Sequence, residues 1–150
     1  MYKPKELILT AGPSISEKEI KYVDDAVKNG WNFRMSEYKD KLEKEFASYV
    51  GTRYAIGTSG ATGAMHLALA CLDINPGDEV ILPDLCFYAA SDVVMHRGAK
   101  PVFVDVLPDT WCINPEKIKK AITKKTRAIM PVYMYGNLCE MEEISAISKQ

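Results

Sequence analysis

The chain has 150 residues, 47% of them hydrophobic and 26% charged, which suffices for a globular domain with a sizeable core. Its formal net charge of −1 gives no broad electrostatic basis for binding nucleic acid or an anionic membrane. Four separated cysteines form no CxxC pair, and two histidines offer no zinc-ligand spacing, so we expect no metal site. No segment approaches 18 consecutive apolar residues, and we expect a cytoplasmic location.

Two helices are predicted at the start of the chain. Ser16 followed by Glu19 forms a capping box, and apolar residues then recur at helical spacing as far as Asn29-Gly30. A second helix is predicted from about residue 36 to residue 50, and Gly51 closes it.

From Tyr54 onward the pattern alternates between strands and helices. Strands are predicted at residues 54–57, 79–82, 101–106 and 127–133, and helices at 62–72, 89–96, from Asn114 onward, and at 141–149. This alternation is typical of an α/β fold, here a three-layer αβα arrangement with a mostly parallel sheet. Because ligands of such sheets bind beyond the carboxyl ends of the strands, the segments of interest are 58–62, 83–88, 106–109 and 133–137.

Residues 57–63, with the sequence GTSGATG, form a small-residue turn between a predicted strand and a predicted helix. Such a turn can bind a phosphate through amides near residues 60–62 and through the Ser59 or Thr62 hydroxyl. It is also compatible with a tight turn in which Ser59 or Thr62 caps the helix and no ligand binds. A dinucleotide-binding turn is a further alternative, with Asp84 holding a ribose, although the glycines follow GxxGxxG rather than GxGxxG.

Other side chains near the predicted strand ends also have two interpretations. Phe87 follows the second strand, where its ring could stack on a planar cofactor or belong to the core. Asp84 could line the pocket or cap the following helix. His66 is best explained as a partly buried helix histidine that packs under the sheet, and not as a base.

Seven blocks of this sequence occur in the order and with the spacing of one enzyme family. They are GW at 30–31, FASYVG at 46–51, SGATGAMHLAL at 59–69, PGDEVI at 76–81, GAKPVFVDV at 98–106, DTW at 109–111 and PVYMYG at 131–136. With these blocks the chain resembles the sugar aminotransferases of the DegT/DnrJ/EryC/StrS group, a branch of the fold type I enzymes that use pyridoxal 5′-phosphate.

The resemblance implies a cofactor site and a substrate class. The cofactor phosphate is expected at Ser59, Gly60, Ala61 and Thr62, with Ala61 standing where glycine is common, and the ring-stacking aromatic is expected at Phe87. The implied reaction moves an amino group, from glutamate, to a keto group of a nucleotide-linked sugar. A homodimer is also implied, in which the segment from Trp31 to Tyr38 approaches the neighbouring subunit's site, although residues 32–35 depart from the usual small-residue pattern.

The same resemblance implies that this chain is the N-terminal part of a cofactor-binding large domain. Residues 1–50 would form the N-terminal helices and residues 51–150 the first βα units. The aspartate that binds the pyridine nitrogen and the catalytic lysine are expected beyond Gln150, as are the rest of the large domain and the small domain. We therefore assign no catalytic residue here and expect a chain that ends at Gln150 to be inactive by itself.

Three alternatives to this function are compatible with the sequence. Within the family, some members dehydrate the sugar ring or only bind the cofactor. A different enzyme class would be an NAD(P)-dependent oxidoreductase that uses the turn at 57–63. The third is a non-catalytic truncated homologue that acts as an interaction module.

Overall fold

The computed structural model describes residues 12–149, which fall into two compact units that divide between Gly57 and Thr58. In its described residues, the first unit consists of helix α1 at Glu17–Asn29, a 3-10 turn at Asn32–Arg34 and helix α2 at Glu37–Val50. The second unit is built from strands and helices in alternation.

Local sequence signals set the ends of the first two helices. The Ser16 side chain accepts a hydrogen bond from the Lys18 amide, and the Glu19 side chain accepts one from the Ser16 amide, which completes the predicted capping box. Helix α2 ends at Gly51, whose left-handed φ of 74° favours glycine because it has no Cβ. The predicted ends of both helices are confirmed.

The second unit contains a three-stranded parallel sheet in the order β2-β1-β3. Its elements along the chain are α3 at Ala61–Cys71, β1 at Glu79–Pro83, α4 at Ala89–His96, β2 at Lys100–Val104, α5 at Pro115–Ala121, β3 at Thr126–Ile129, a 3-10 turn at Met134–Gly136 and α6 at Met141–Ile147. Strand β1 pairs with β2 from Glu79 opposite Lys100 to Pro83 opposite Val104. The α/β class and the parallel sheet are thus confirmed.

The central strand β1 is buried along its whole length and separates two hydrophobic clusters. Successive side chains of β1 point to opposite faces of the sheet. Val80 packs against residues of α3 and α4 on one face, and Ile81 packs against residues of α5 and α6 on the other. Full burial of such a side chain stabilises the fold by about 1.5–3 kcal/mol. The two clusters make the second unit a helix–sheet–helix sandwich.

Three predicted strands differ in the structure, and the one expected at 101–106 ends at Val104. Residues 54–57 were expected to form a strand, but they pair with no strand among the described residues, and the Gly57 amide donates to the Glu43 carboxylate at 2.8 Å. Strand β3 ends at Ile129 instead of near residue 133. Pro131 lies just beyond that end and has no amide hydrogen to continue a ladder.

The carboxyl end of α3 is joined to the carboxyl end of α4. Helix α3 ends in a Schellman motif, in which the Ile74 amide donates to the Leu69 carbonyl and the Asp73 amide to the Ala70 carbonyl, both at 3.1 Å. The Arg97 guanidinium, directly after α4, donates two hydrogen bonds to the Ile74 carbonyl, at 3.0 and 2.8 Å. Both helices therefore begin on the side of the sheet where β1 ends.

Candidate functional site

The turn that leads into α3 is open, since residues 57–64 are all exposed. Gly60 is the N-cap of α3, and no side chain caps this helix end. The Thr58 hydroxyl donates to the Gly60 carbonyl at 3.0 Å, which shapes the turn from within. The alternative in which Ser59 or Thr62 caps the helix is therefore wrong.

The first amides of α3 are available to a ligand. Within the helix, the Ala64 amide donates to the Gly60 carbonyl at 3.2 Å, whereas the amides of Ala61, Thr62 and Gly63 precede the intrahelical ladder. A Cβ added at Gly60 would meet nothing within 4 Å, so the chain is not crowded at this position. Free amides, nearby hydroxyls and the positive end of the helix dipole together fit a phosphate group.

Phe87 lies in the loop between β1 and α4 with 69% of its surface exposed. Its ring centroid lies 4.5 Å from that of Tyr88, the N-cap of α4, and the two rings are tilted by 45°. The interpretation of Phe87 as a core aromatic is wrong, because the ring belongs to neither hydrophobic cluster. An exposed ring in this position can stack on a planar ligand.

The turn before α3 and the Phe87 loop lie at the same edge of the second unit. Helices α3 and α4 pack side by side and have their carboxyl ends joined through Arg97 and Ile74. Their amino ends therefore lie together beyond Pro83, where β1 ends. This is the edge at which parallel sheets bind ligands.

Two polar residues near Phe87 have defined surroundings. The Cys86 thiol donates to the Pro83 carbonyl at 3.4 Å, and burial, aided by the Asp84 carboxylate, raises the pKa of this thiol. A thiol kept neutral in this way is a poor nucleophile. Asp84 is exposed and does not cap α4, whose N-cap is Tyr88 without a side-chain hydrogen bond. The interpretation of Asp84 as a helix cap is therefore wrong.

His66 does not pack under the sheet, which contradicts the expectation. It is exposed on α3, and its ring centroid lies 6.2 Å from that of His96 on α4. The buried side of α3 is formed by Leu69, with Met65 partly buried beside it, and His66 points about 100° around the helix from Met65. It is also one and a half turns from the amino end of the helix.

The contact between Glu43 and Gly57, immediately before the turn, was not predicted. Glu43 is one of several acids along α2, and no spacing or motif distinguishes it from its neighbours. Only the fold brings its carboxylate to the Gly57 amide.

Within residues 12–149, no three or more His, Cys, Asp or Glu side chains are grouped so that they could hold a metal ion. Over the same residues, no helix is both long and apolar enough to cross a bilayer. Cys112 and Cys139 are buried in one hydrophobic cluster, while Cys71 is exposed.

Comparison with known proteins identifies the family. The sequence profile of the DegT/DnrJ/EryC1/StrS aminotransferase family matches residues 13–150. The chain belongs to this aminotransferase family. Members of the DegT/DnrJ/EryC1/StrS family to which it is similar include the GDP-perosamine synthase of Caulobacter vibrioides, with 38% identity over 95% of this chain and 38% of the relative.

Solved structures of related aminotransferases have the same fold over the matched part. An aminotransferase from Psychrobacter cryohalolentis has a TM-score of 0.86 and 35% identity, over 93% of this chain and 36% of that one. NtdA from Bacillus subtilis, solved with bound cofactor PMP, has a TM-score of 0.79 and 32% identity, over 97% of this chain and 36% of that one. The chain thus spans little more than a third of the length of the proteins it matches.

Proposed function

We propose that this chain forms the phosphate-binding and ring-stacking part of a pyridoxal 5′-phosphate site in a sugar aminotransferase. The observation that carries the proposal is the uncapped, exposed amino end of α3 at the same sheet edge as the exposed Phe87 ring. The family match and the PMP-bound structure of NtdA support the choice of cofactor.

In this proposal, the cofactor phosphate is held at Ser59, Gly60, Ala61 and Thr62. The backbone amides at the start of α3 and the Ser59 and Thr62 hydroxyls act as donors to the phosphate oxygens. Ala61 donates through its backbone, so the methyl group that it carries in place of glycine's hydrogen does not remove a donor. Phe87 lies against the pyridine ring.

When bound, pyridoxal phosphate carries the amino group between donor and acceptor and serves as an electron sink. The residues of this chain bind and orient that group. An anchored phosphate at one end and a stacked ring at the other fix two points of a planar molecule, which limits its rotation and places its reactive carbon. The Cys86 thiol, neutral and turned to the Pro83 carbonyl, does not compete as a nucleophile.

The substrates proposed are glutamate as donor and a nucleotide-linked keto sugar as acceptor. The name of the Caulobacter vibrioides relative, GDP-perosamine synthase, supports an amino sugar joined to a nucleotide as product. The assay uses the complete natural protein with such a keto sugar and measures the 2-oxoglutarate released from glutamate. Absence of both amino sugar and 2-oxoglutarate, with cofactor bound, would favour the dehydratase or binding-only branch.

The cofactor proposal has its own test. Titration with pyridoxal 5′-phosphate and with pyridoxal, which lacks the phosphate, should give tight binding only for the former. A Ser59→Ala/Thr62→Ala double variant should weaken binding of the phosphate form and leave pyridoxal unaffected, because it removes two phosphate donors. Equal binding of both ligands, or binding of NAD(H) instead, would reject the site.

We also propose that the protein is a cytoplasmic homodimer. Trp31, Phe33 and Met35 expose 65%, 96% and 79% of their surfaces in one short segment, which is typical of a subunit interface. Light scattering of the complete protein should give a dimer mass, and Phe33→Asp should shift it toward the monomer. A monomer at all concentrations would reject the proposal.

A further inference from the structure

A single hydrogen bond ties helix α2 to the residue that precedes the phosphate turn. The Gly57 amide donates to Oε1 of Glu43 at 2.8 Å. A methyl group built on Gly57 would lie 3.6 Å from that same oxygen and 3.8 Å from Cγ of Lys39. The backbone at Gly57 therefore lies directly against the side chains of this face of α2.

The Glu43 carboxylate is itself held in place. Its Oε2 atom accepts from Nζ of Lys39 at 3.3 Å, and the same ammonium group pairs with Asp40 at 2.7 Å. Only 24% of the Glu43 side chain is exposed, against 69% for Glu45 on the same helix. The hydrogen bond from Gly57 holds the pKa of Glu43 below its ordinary value, and Lys39 lowers it further.

The Glu43 carboxylate is the acceptor of the Gly57 amide. Residues 54–57 form no strand within the described part of the chain. One peptide bond beyond Gly57, the chain enters the turn at Thr58, where the Thr58 hydroxyl binds the Gly60 carbonyl. The turn is otherwise exposed, so its starting point depends on what holds Gly57.

We propose that Glu43 is a positioning residue that holds the chain at Gly57 and so sets where the phosphate turn begins. That Glu43 holds Gly57 is inferred from the hydrogen bond between them. That Glu43 affects the affinity for phosphate also rests on the proposed cofactor site. Glu43 touches no ligand in this scheme.

Three variants of the complete natural protein separate this role from a general effect on α2. Glu43→Met keeps an unbranched side chain of good helix propensity but removes the acceptor. Glu43→Gln retains an amide oxygen that can accept from Gly57. Glu45→Met is the matched control, since it makes the same change two residues along the helix, where the carboxylate only meets Lys41 at 3.9 Å. Circular dichroism melting checks that each variant is folded.

The first readout is hydrogen exchange without any ligand. In Glu43→Met, the Gly57 amide should exchange about tenfold faster than in the wild type, because its acceptor is gone. Glu43→Gln should restore most of the protection, and Glu45→Met should match the wild type. Unchanged exchange in Glu43→Met would overturn the proposal whatever cofactor the protein binds.

The second readout is the ratio of the Kd for pyridoxal 5′-phosphate to the Kd for pyridoxal. Glu43→Met should weaken binding of the phosphate form about tenfold and leave pyridoxal within about twofold. If exchange accelerates but the ratio stays constant, Glu43 holds Gly57 without positioning the phosphate turn, and the proposal fails. If the wild type binds pyridoxal 5′-phosphate and pyridoxal equally well, the proposed cofactor site is wrong. The exchange data then still show whether Glu43 holds Gly57.

Discussion

Replacement of Phe87 by alanine should separate ligand binding from folding. The ring is 69% exposed and lies outside both hydrophobic clusters, so its removal should change the free energy of unfolding by no more than about 0.5 kcal/mol. Against a bound pyridine ring, the same side chain would contribute aromatic stacking and the burial of its exposed face. Together these are worth about 2 kcal/mol, which corresponds to a roughly 30-fold increase in the Kd for pyridoxal 5′-phosphate.

The assay for Phe87 combines titration of the complete protein with pyridoxal 5′-phosphate and urea unfolding without it. Phe87→Trp should keep most of the affinity, because it retains an aromatic face. Tyr88→Ala is the neighbouring control, since its ring lies 4.5 Å from that of Phe87 but is not assigned to the cofactor. A lower unfolding free energy with an unchanged Kd in Phe87→Ala would refute the reasoning and return the residue to a structural role.

Three further predictions concern the backbone and one carboxylate. Asp73→Gly should raise the free energy of unfolding by about 0.5 kcal/mol in urea titrations. Asp73 has a left-handed φ of 54°, and glycine relieves that backbone strain, although it adds entropy to the unfolded chain. A loss of stability would contradict this prediction. Gly98→Ala should lower the free energy of unfolding by about 2 kcal/mol, because φ of Gly98 is 71° and the new methyl would lie 2.9 Å from Cγ of Pro76. An unchanged urea midpoint would argue against this tight contact. The lowered pKa of Glu43 means that its stabilising hydrogen bond from Gly57 is fully present above the ordinary glutamate pKa and is lost as pH falls through the lowered value. The stability difference between the wild type and Glu43→Gln should therefore shrink as the pH falls below the ordinary glutamate pKa, and a difference that grows on acidification would contradict the direction of the shift.

Local sequence patterns predicted the structure correctly where the interactions that determine it join residues close together in the chain. The capping box at Ser16, the left-handed end of α2 at Gly51 and the proline after the Asn114 cap all involve residues within a few positions of each other. The order of strand and helix likewise follows from apolar periodicity, which is a property of short segments. The family resemblance placed the candidate phosphate turn for the same reason, since the turn is one continuous stretch.

Contacts between residues far apart in the chain determined the features that the sequence did not predict. The sequence alone could not show that residues 54–57 have no strand partner among the described residues, because a strand forms only with a neighbour that shares its hydrogen bonds. The Gly57 amide instead donates to the Glu43 carboxylate, 14 positions earlier in the chain. Burial is equally non-local: the exposure of Phe87 and of His66 depends on which helices cover the sheet. What the amino-acid sequence determined by itself was the order of the helices and of three strands, and the turn before α3. The tertiary structure decided which side chains stay exposed and which carboxylate accepts from the Gly57 amide, because those depend on contacts between segments far apart in the chain.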